Sequence, residues 1–254
     1  MENSSKEIEY RLNLQKEIFG DDLYEQFNIV PVQKFKQKVK QEIKHNEANM
    51  SEQKVDPKTT REIEEPFATA KNLEELYNEI HTCQKCELGA TRIKFVYGVG
   101  NPDADLMLIG EAPGAEEDKQ GIPFVGRAGK LLTDILKAIH FERDDVYIAN
   151  ILKCRPPGNR DPKPFERETC SPYLWKQVEL IKPKIILCLG RISANVLLNK
   201  NESLTRLREN VYEMNGVKVM ATYHPAALLR NPNWKRGCWE DVQKVRKLYE
   251  ELRK

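Results

Sequence analysis

No apolar run in this sequence approaches the ~20 residues of a membrane-spanning helix; the longest, around Ile185 to Leu189, would make one strand. Charge bias is also missing, with 41 Lys and Arg against 39 Asp and Glu. That near-balance excludes a histone-like chain that grips nucleic acid by bulk charge. It leaves open a nucleic-acid enzyme with a local basic face. No internal repeat or low-complexity tract is visible. The opening Met1-Glu2-Asn3-Ser4 carries no apolar stretch, so a cytoplasmic, unsecreted protein is expected. Against these absences stand six cysteines. In a reducing compartment, clustered thiols more often bind metal than pair as disulfides.

Composition divides the chain. Residues 1–65 carry a net charge of −3, and the remainder carries +5. From Asn46 to Glu65 almost no residue could build a core, which reads as a linker or disordered segment. Ahead of it, Ile8 to Phe27 and Phe35 to Ile43 show scattered helical periodicity. They read as solvated, fraying helices, with a short partner-binding helix as the alternative and the partner unidentified. The expected division is therefore a charged, partly helical or disordered extension over 1–65 and a folded domain over 66–254.

Within that domain, β-rich runs alternate with amphipathic helical patterns. Strands are predicted over Asp105 to Ile109, Asp145 to Ala149, Lys184 to Leu189 and Val217 to Thr222. Leu131, Leu132, Ile135, Leu136 and Ile139 form one helical stripe, Ile192, Val196 and Leu197 a second. A closing helix spans Trp239 to Leu252. Alternation with apolar strands predicts an α/β fold: three αβα layers around a central, mostly parallel four-stranded sheet. Ligands bind such sheets outside the carboxyl ends of the strands. There the sequence places Gly110-Glu111-Ala112-Pro113-Gly114, Asn150, Gly190 and Tyr223-His224-Pro225. A carboxylate, a carboxamide and an imidazole thus converge on one rim.

Cys83 and Cys86 form a C-x-x-C pair, while Cys154 and Cys170 stand further apart. Four soft thiolates suit zinc or an iron–sulfur cluster. A redox dithiol at Cys83 and Cys86 would leave the other two unexplained. Compact zinc sites usually pair two C-x-x-C knuckles, and the single knuckle tilts the choice toward a cluster without closing it. Cys188, inside a strand, and Cys238 read as buried core thiols. Gly126-Arg127-Ala128-Gly129-Lys130 faintly suggests a phosphate loop but lacks the Ser or Thr after Lys130.

Four separated motifs, in order, closely resemble those of the family 4 uracil-DNA glycosylases, the iron–sulfur branch of their superfamily. They are Gly110 to Gly114; Gly121-Ile122-Pro123-Phe124-Val125-Gly126; Asn150-Ile151-Leu152-Lys153-Cys154-Arg155-Pro156-Pro157-Gly158-Asn159-Arg160; and Tyr223-His224-Pro225-Ala226-Ala227-Leu228-Leu229-Arg230. The resemblance runs from about Leu73 to Leu252 and leaves out the N-terminal segment. It implies a four-iron four-sulfur cluster on Cys83, Cys86, Cys154 and Cys170, with zinc the alternative. A related branch carries a uracil-trapping histidine on an inserted basic loop; here Cys154 to Arg160 runs on without one. A sister family lacks the acidic residue that this chain has in Glu111.

The resemblance further implies hydrolysis of uracil from single- or double-stranded DNA by a monomer, leaving an abasic site. A non-catalytic uracil-DNA-binding module is the alternative. Glu111 would orient water and His224 would donate to the departing base. Phe124 would stack on the flipped base and Asn150 would read its edge, with Gly110 and the Ala112 amide beside it. Leu228 would wedge into the vacated stack, and Asn159 and Arg230 would meet DNA. Lys153, Arg155 and Arg160 are further candidates for phosphate contacts. Glu116, Glu117 and Asp118 read as a solvated or helix-N-terminal cluster without catalytic work.

Overall fold

The computed structural model describes residue 10, residues 13–19 and residues 65–253. Among these, six strands form one sheet in the order β1-β3-β2-β4-β6-β5. The four predicted strands are its parallel centre: β2 (Leu106–Gly110), β3 (Tyr147–Asn150), β4 (Ile185–Leu189) and β6 (Val217–Thr222). The four-stranded expectation is corrected by two antiparallel edges, β1 (Val99–Gly100) and β5 (Tyr212–Met214). Two and three residues are too few for alternation to reveal a strand. Both are the sheet's open edges, kept short as edge strands commonly are.

Every residue of β2, β3 and β4 is buried, because helices cover both faces of the sheet. On one face, Met107, Ile109, Ile186 and Cys188 pack with α1 (Leu73–Ile80), α5 (Pro164–Ile181) and α6 (Arg191–Leu198). On the other, Leu108, Leu187 and Leu189 meet Leu132, Ile135 and Leu136 of α4 (Arg127–Ala138) and Val242 of α9 (Lys235–Glu251). These are the two stripes expected of a three-layer αβα fold. Three short helices complete the frame: α2 (Glu87–Thr91) after the C-x-x-C pair, α3 (Ala115–Gln120) after β2, and α7 (Leu204–Arg208) before β5. Among the described residues no helix is long and apolar enough to cross a membrane.

Part of the N-terminal segment departs from the expectation of a solvated helix. Residues 13–19 are helical, and Ile18 and Phe19 are buried. The Phe19 ring lies 4.6 Å from that of Trp239 in α9, and Gln15 Nε2 donates to the Ala138 carbonyl at 2.7 Å. Two large apolar side chains one helical step apart therefore anchor a mainly polar helix, and the folded unit draws on residues before 66. The readings for Phe35 to Ile43 and for Asn46 to Glu65 fall outside the described residues, Glu65 excepted.

Winding reverses around β2, since β3 lies on one side of it and β4 on the other. Open α/β sheets present their binding crevice at such a switch, outside the carboxyl ends of the strands.

Candidate active site

A cavity of about 370 Å³ occupies that position, a size suited to a small ligand. Glu111, Phe124, Asn150 and His224 line it, together with the Ala112–Gly114 turn, Asn159 and Arg230. Residues from three strand ends and two loops therefore meet where the topology predicts. Larger clefts exist, one of about 750 Å³ under Trp175, Val178 and Met214. That cleft has no buried polar atom lacking a partner on its walls; the smaller cavity does.

The atom is Asn150 Oδ1. Asn150 ends β3, is 2% exposed, and its side-chain oxygen has no hydrogen-bond partner. A buried unpaired acceptor costs roughly 1–3 kcal/mol, so an occupant able to donate there would be favoured. Gly110, paired with Asn150 in register, is glycine for lack of room. A methyl group there would overlap the Asn150 oxygen and the edge of the Phe124 ring.

Phe124 is held in a left-handed backbone conformation, with φ of 55°. For a bulky residue this is strain of order 1–3 kcal/mol and persists only where neighbours over-determine it. Arg143 supplies one clamp, donating to the Pro123 carbonyl at 3.0 Å and to the Phe124 carbonyl at 3.2 Å. Glu117 supplies the other, accepting from the Val125 and Gly126 amides at 2.9 and 3.0 Å. Gly129 completes the seat, since a Cβ there would run into the Phe124 carbonyl. The phosphate-loop likeness around Gly129 is thus a packing requirement of the aromatic residue.

His224 caps α8 (Pro225–Arg230), with its Nδ1 accepting from the Ala226 amide at 3.2 Å. In the neutral ring the proton therefore sits on Nε2, which makes that nitrogen a donor. Burial holds the imidazole neutral by pushing its pKa down to about 4; nearby Arg230 acts in the same direction and Glu117 against it. The ring lies 5.5 Å from that of Phe124, centroid to centroid. Glu111 moves the opposite way for the same reason. Burial, helped by the charge of Asp161, pushes its carboxyl up to about 7, against the pull of Arg167 and Arg191.

Several expectations change at the lip of the cavity. Leu228 is fully buried, whereas Leu229 is 45% exposed, because Leu228 falls on the inward face of α8. Leu229, next to the cavity-lining Arg230, is an exposed apolar side chain instead. Lys153 is no phosphate contact: it is wholly buried and donates to the Asn150 carbonyl and to Gln177. Arg155 is engaged with Asn159 Oδ1 at 2.7 Å, and Arg160 makes a two-pronged pair with Glu166. Arg230 remains exposed on the lip. Glu117 and Asp118 do more than a solvated pair would: Asp118 is buried and accepts from the Ile93 amide at 2.9 Å. A Glu at the third position of a helix usually caps that helix's own start, so sequence alone favours the wrong partner for Glu117. Arg143 and Gln177 carry no sequence signal that separates them from ordinary polar residues.

All six cysteines are free. Cys188 and Cys238 are buried in the core, as expected. The other four lie on three pieces of chain: Cys83 and Cys86 before α2, Cys154 after β3, and Cys170 in α5. Tyr173 OH donates to Cys83 Sγ at 3.1 Å, Arg92 to Cys154 Sγ at 3.3 Å, and the Lys153 amide to Cys170 Sγ at 3.4 Å. Burial pushes the Cys170 thiol up to about 12 and raises that of Cys154. Burial disfavours the thiolate at both positions, and Lys153 beside Cys170 and Arg92 beside Cys154 pull the other way. Among the described residues no group of three or more Cys, His, Asp or Glu side chains is gathered tightly enough to hold a single metal ion.

Comparison with known proteins agrees with this geometry. The profile described as "Uracil DNA glycosylase superfamily" matches residues 97–248. The type-4 uracil-DNA glycosylase of Archaeoglobus fulgidus is 46% identical over 185 residues, 70% of this chain and 93% of that protein. Those of Sulfurisphaera tokodaii and Saccharolobus solfataricus are each 47% identical, over 70% and 69% of this chain and 84% and 85% of their own lengths. Matches of this extent, over the segment that builds the cavity, make this chain a member of the uracil-DNA glycosylase superfamily, in its type-4 branch.

Proposed function

We propose that this chain excises uracil from DNA by hydrolysing the bond between the base and C1′, leaving an abasic site. The observation that carries the reading is the buried, unpartnered Asn150 oxygen in the cavity lined by Phe124 and His224. Uracil offers N3–H as a donor and O4 as an acceptor, which one carboxamide satisfies together. Cytosine presents the reverse pattern at both positions and would set donor against donor. A base inside a duplex cannot reach this cavity, so the nucleotide is extruded. Stacking on Phe124 then returns ~1–3 kcal/mol.

As the C1′–N1 bond breaks, its electron pair leaves with uracil. The Nε2–H of neutral His224 stabilises the charge developing on O2. Glu111, as carboxylate, orients a water toward C1′, takes its proton and offsets positive charge on the sugar. Leu229, exposed on the lip, takes the wedge role in place of Leu228, and Arg230 meets backbone phosphate.

The cofactor we infer is a four-iron four-sulfur cluster held by Cys83, Cys86, Cys154 and Cys170. Support comes from the donor set: four free thiols, three of them receiving hydrogen bonds of the kind that surround cluster ligands. Such a cluster supplies a cross-link between the segment following α1, the loop after β3 and α5. A brown preparation with matched iron and acid-labile sulfide is expected; a colourless one containing zinc would overturn this assignment.

The activity is tested by incubating the full chain with a uracil-containing oligonucleotide and cleaving abasic sites with alkali. Strand scission well above that of His224→Ala is the expected result. Scission no greater than that control overturns the reading.

A further inference from the structure

A buried ammonium group bonds the backbone of Asn150, the residue proposed to read the base. Lys153 is 0% exposed, and its Nζ donates to the Asn150 backbone carbonyl at 2.9 Å and to Gln177 Oε1 at 2.6 Å. Burying a charge is expensive, and a site needing only bulk would be filled by Leu or Met. Gln177 of α5 is itself fully buried and oriented. Its Nε2 donates to the Tyr97 carbonyl at 3.1 Å and to Tyr147 OH at 3.3 Å, which turns Oε1 toward the lysine. The backbone around Lys153 is pinned as well. Its carbonyl accepts from the Val96 amide at 2.9 Å, while the Ile151 and Leu152 amides donate to the Gly110 and Glu111 carbonyls at 3.0 Å each.

The Asn150 side-chain oxygen, by contrast, has no partner of its own. Where the carboxamide points then depends on where the backbone carrying it is held. We propose that Lys153 is a positioning residue for base recognition, its ammonium bridging Gln177 and the Asn150 carbonyl so that the carboxamide meets the edge of uracil in register. The inference rests on the assignment of Asn150 as the base reader.

Its test is a double-mutant cycle of Lys153→Met with Asn150→Ala, read by single-turnover excision of uracil. In the Asn150 background, Lys153→Met should slow excision by about tenfold or more, the scale of losing an outer-shell partner. In the Asn150→Ala background it should change the residual rate by less than about twofold, the measure of a shared pathway. Affinity for an abasic-site oligonucleotide, which has no base to read, should be unaffected. Equal losses in both backgrounds, weakened abasic-DNA binding, or no loss in the Asn150 background would overturn the proposal. If Lys153→Met does not fold, Gln177→Met, which removes the oxygen that the ammonium bridges to, enters the same cycle with the same expected outcomes. Equal losses in both backgrounds, or no loss in the Asn150 background, would again overturn the proposal. A parent chain that excises no uracil at all contradicts the proposed activity instead, and is recognised before the cycle begins.

Discussion

The cavity wall and the cysteine quartet are built on opposite terms. In the cavity, almost every element is held by the protein's own bonds: Phe124 by Arg143 and Glu117, His224 by the Ala226 amide, Asn150 through its backbone by Lys153. The polar atom left over, Asn150 Oδ1, points to a small ligand. At the quartet, donors surround three sulfurs, and burial raises the pKa of the Cys170 thiol against the pull of nearby Lys153. One region is complete before its ligand arrives. The other would be completed by the cluster proposed for it. Preorganisation of the first kind serves catalysis, because dipoles already in place need not reorganise as charge develops. The second kind would serve folding, because a cluster bound there would tie separated segments together.

Variants of the residues proposed to meet the substrate should alter chemistry more than stability, and variants of those that only hold them should do the reverse. The largest effect is expected for Glu111→Gln, a loss of roughly 10²–10⁴-fold in excision rate, measured in single turnover. The parent rate should fall as pH drops through about 7, because burial holds the Glu111 proton to that pH and only the carboxylate orients water. Protonation of His224 lies further down, near 4, and leaves that limb to Glu111 alone. The Gln variant should show no limb near 7. Next comes His224→Ala, with a loss of roughly 10²–10³-fold, typical of one oxyanion donor.

Arg143→Met should act through the Phe124 loop. It leaves the Pro123 and Phe124 carbonyls without their donor and costs roughly 1–3 kcal/mol, read by chemical denaturation. On the cysteine side the order of effects should invert. Tyr173→Phe removes the hydroxyl from Cys83 Sγ and should weaken retention of the metal centre by roughly tenfold. Iron release to a chelator measures it, with the excision rate of loaded protein unchanged. A change in rate without a change in retention would break the contrast between the two regions.

The parallel strands, the two covered faces and the rim were legible because they follow from hydrophobic period and from where strands end. The edge strands at Val99–Gly100 and Tyr212–Met214 were not, being shorter than one full alternation. The residues proposed to act with their own side chains, Glu111, Phe124, Asn150 and His224, stood out by residue type at strand ends and Gly- or Pro-rich loops. Those that act by holding others did not. Lys153 reads as a surface cation until its seat between Gln177 and Asn150 is seen. Leu228 and Leu229 are chemically alike, and only the rotation of α8 decides which one faces outward. Phe19 finds Trp239 across some 220 residues, and no local pattern announces such a contact.

If the Asn150 carboxamide reads uracil, its removal should slow excision without loosening the hold on DNA. The full chain and its Asn150→Ala variant are given the same uracil-containing oligonucleotide in excess enzyme, and alkali-revealed scission is followed in time. Excision should fall by roughly 10²-fold or more, the scale at which a site built to bond a polar group fails without that bond, while binding to abasic-site DNA is retained. Excision by the alanine variant at the parent rate would mean that Asn150 does not read the base.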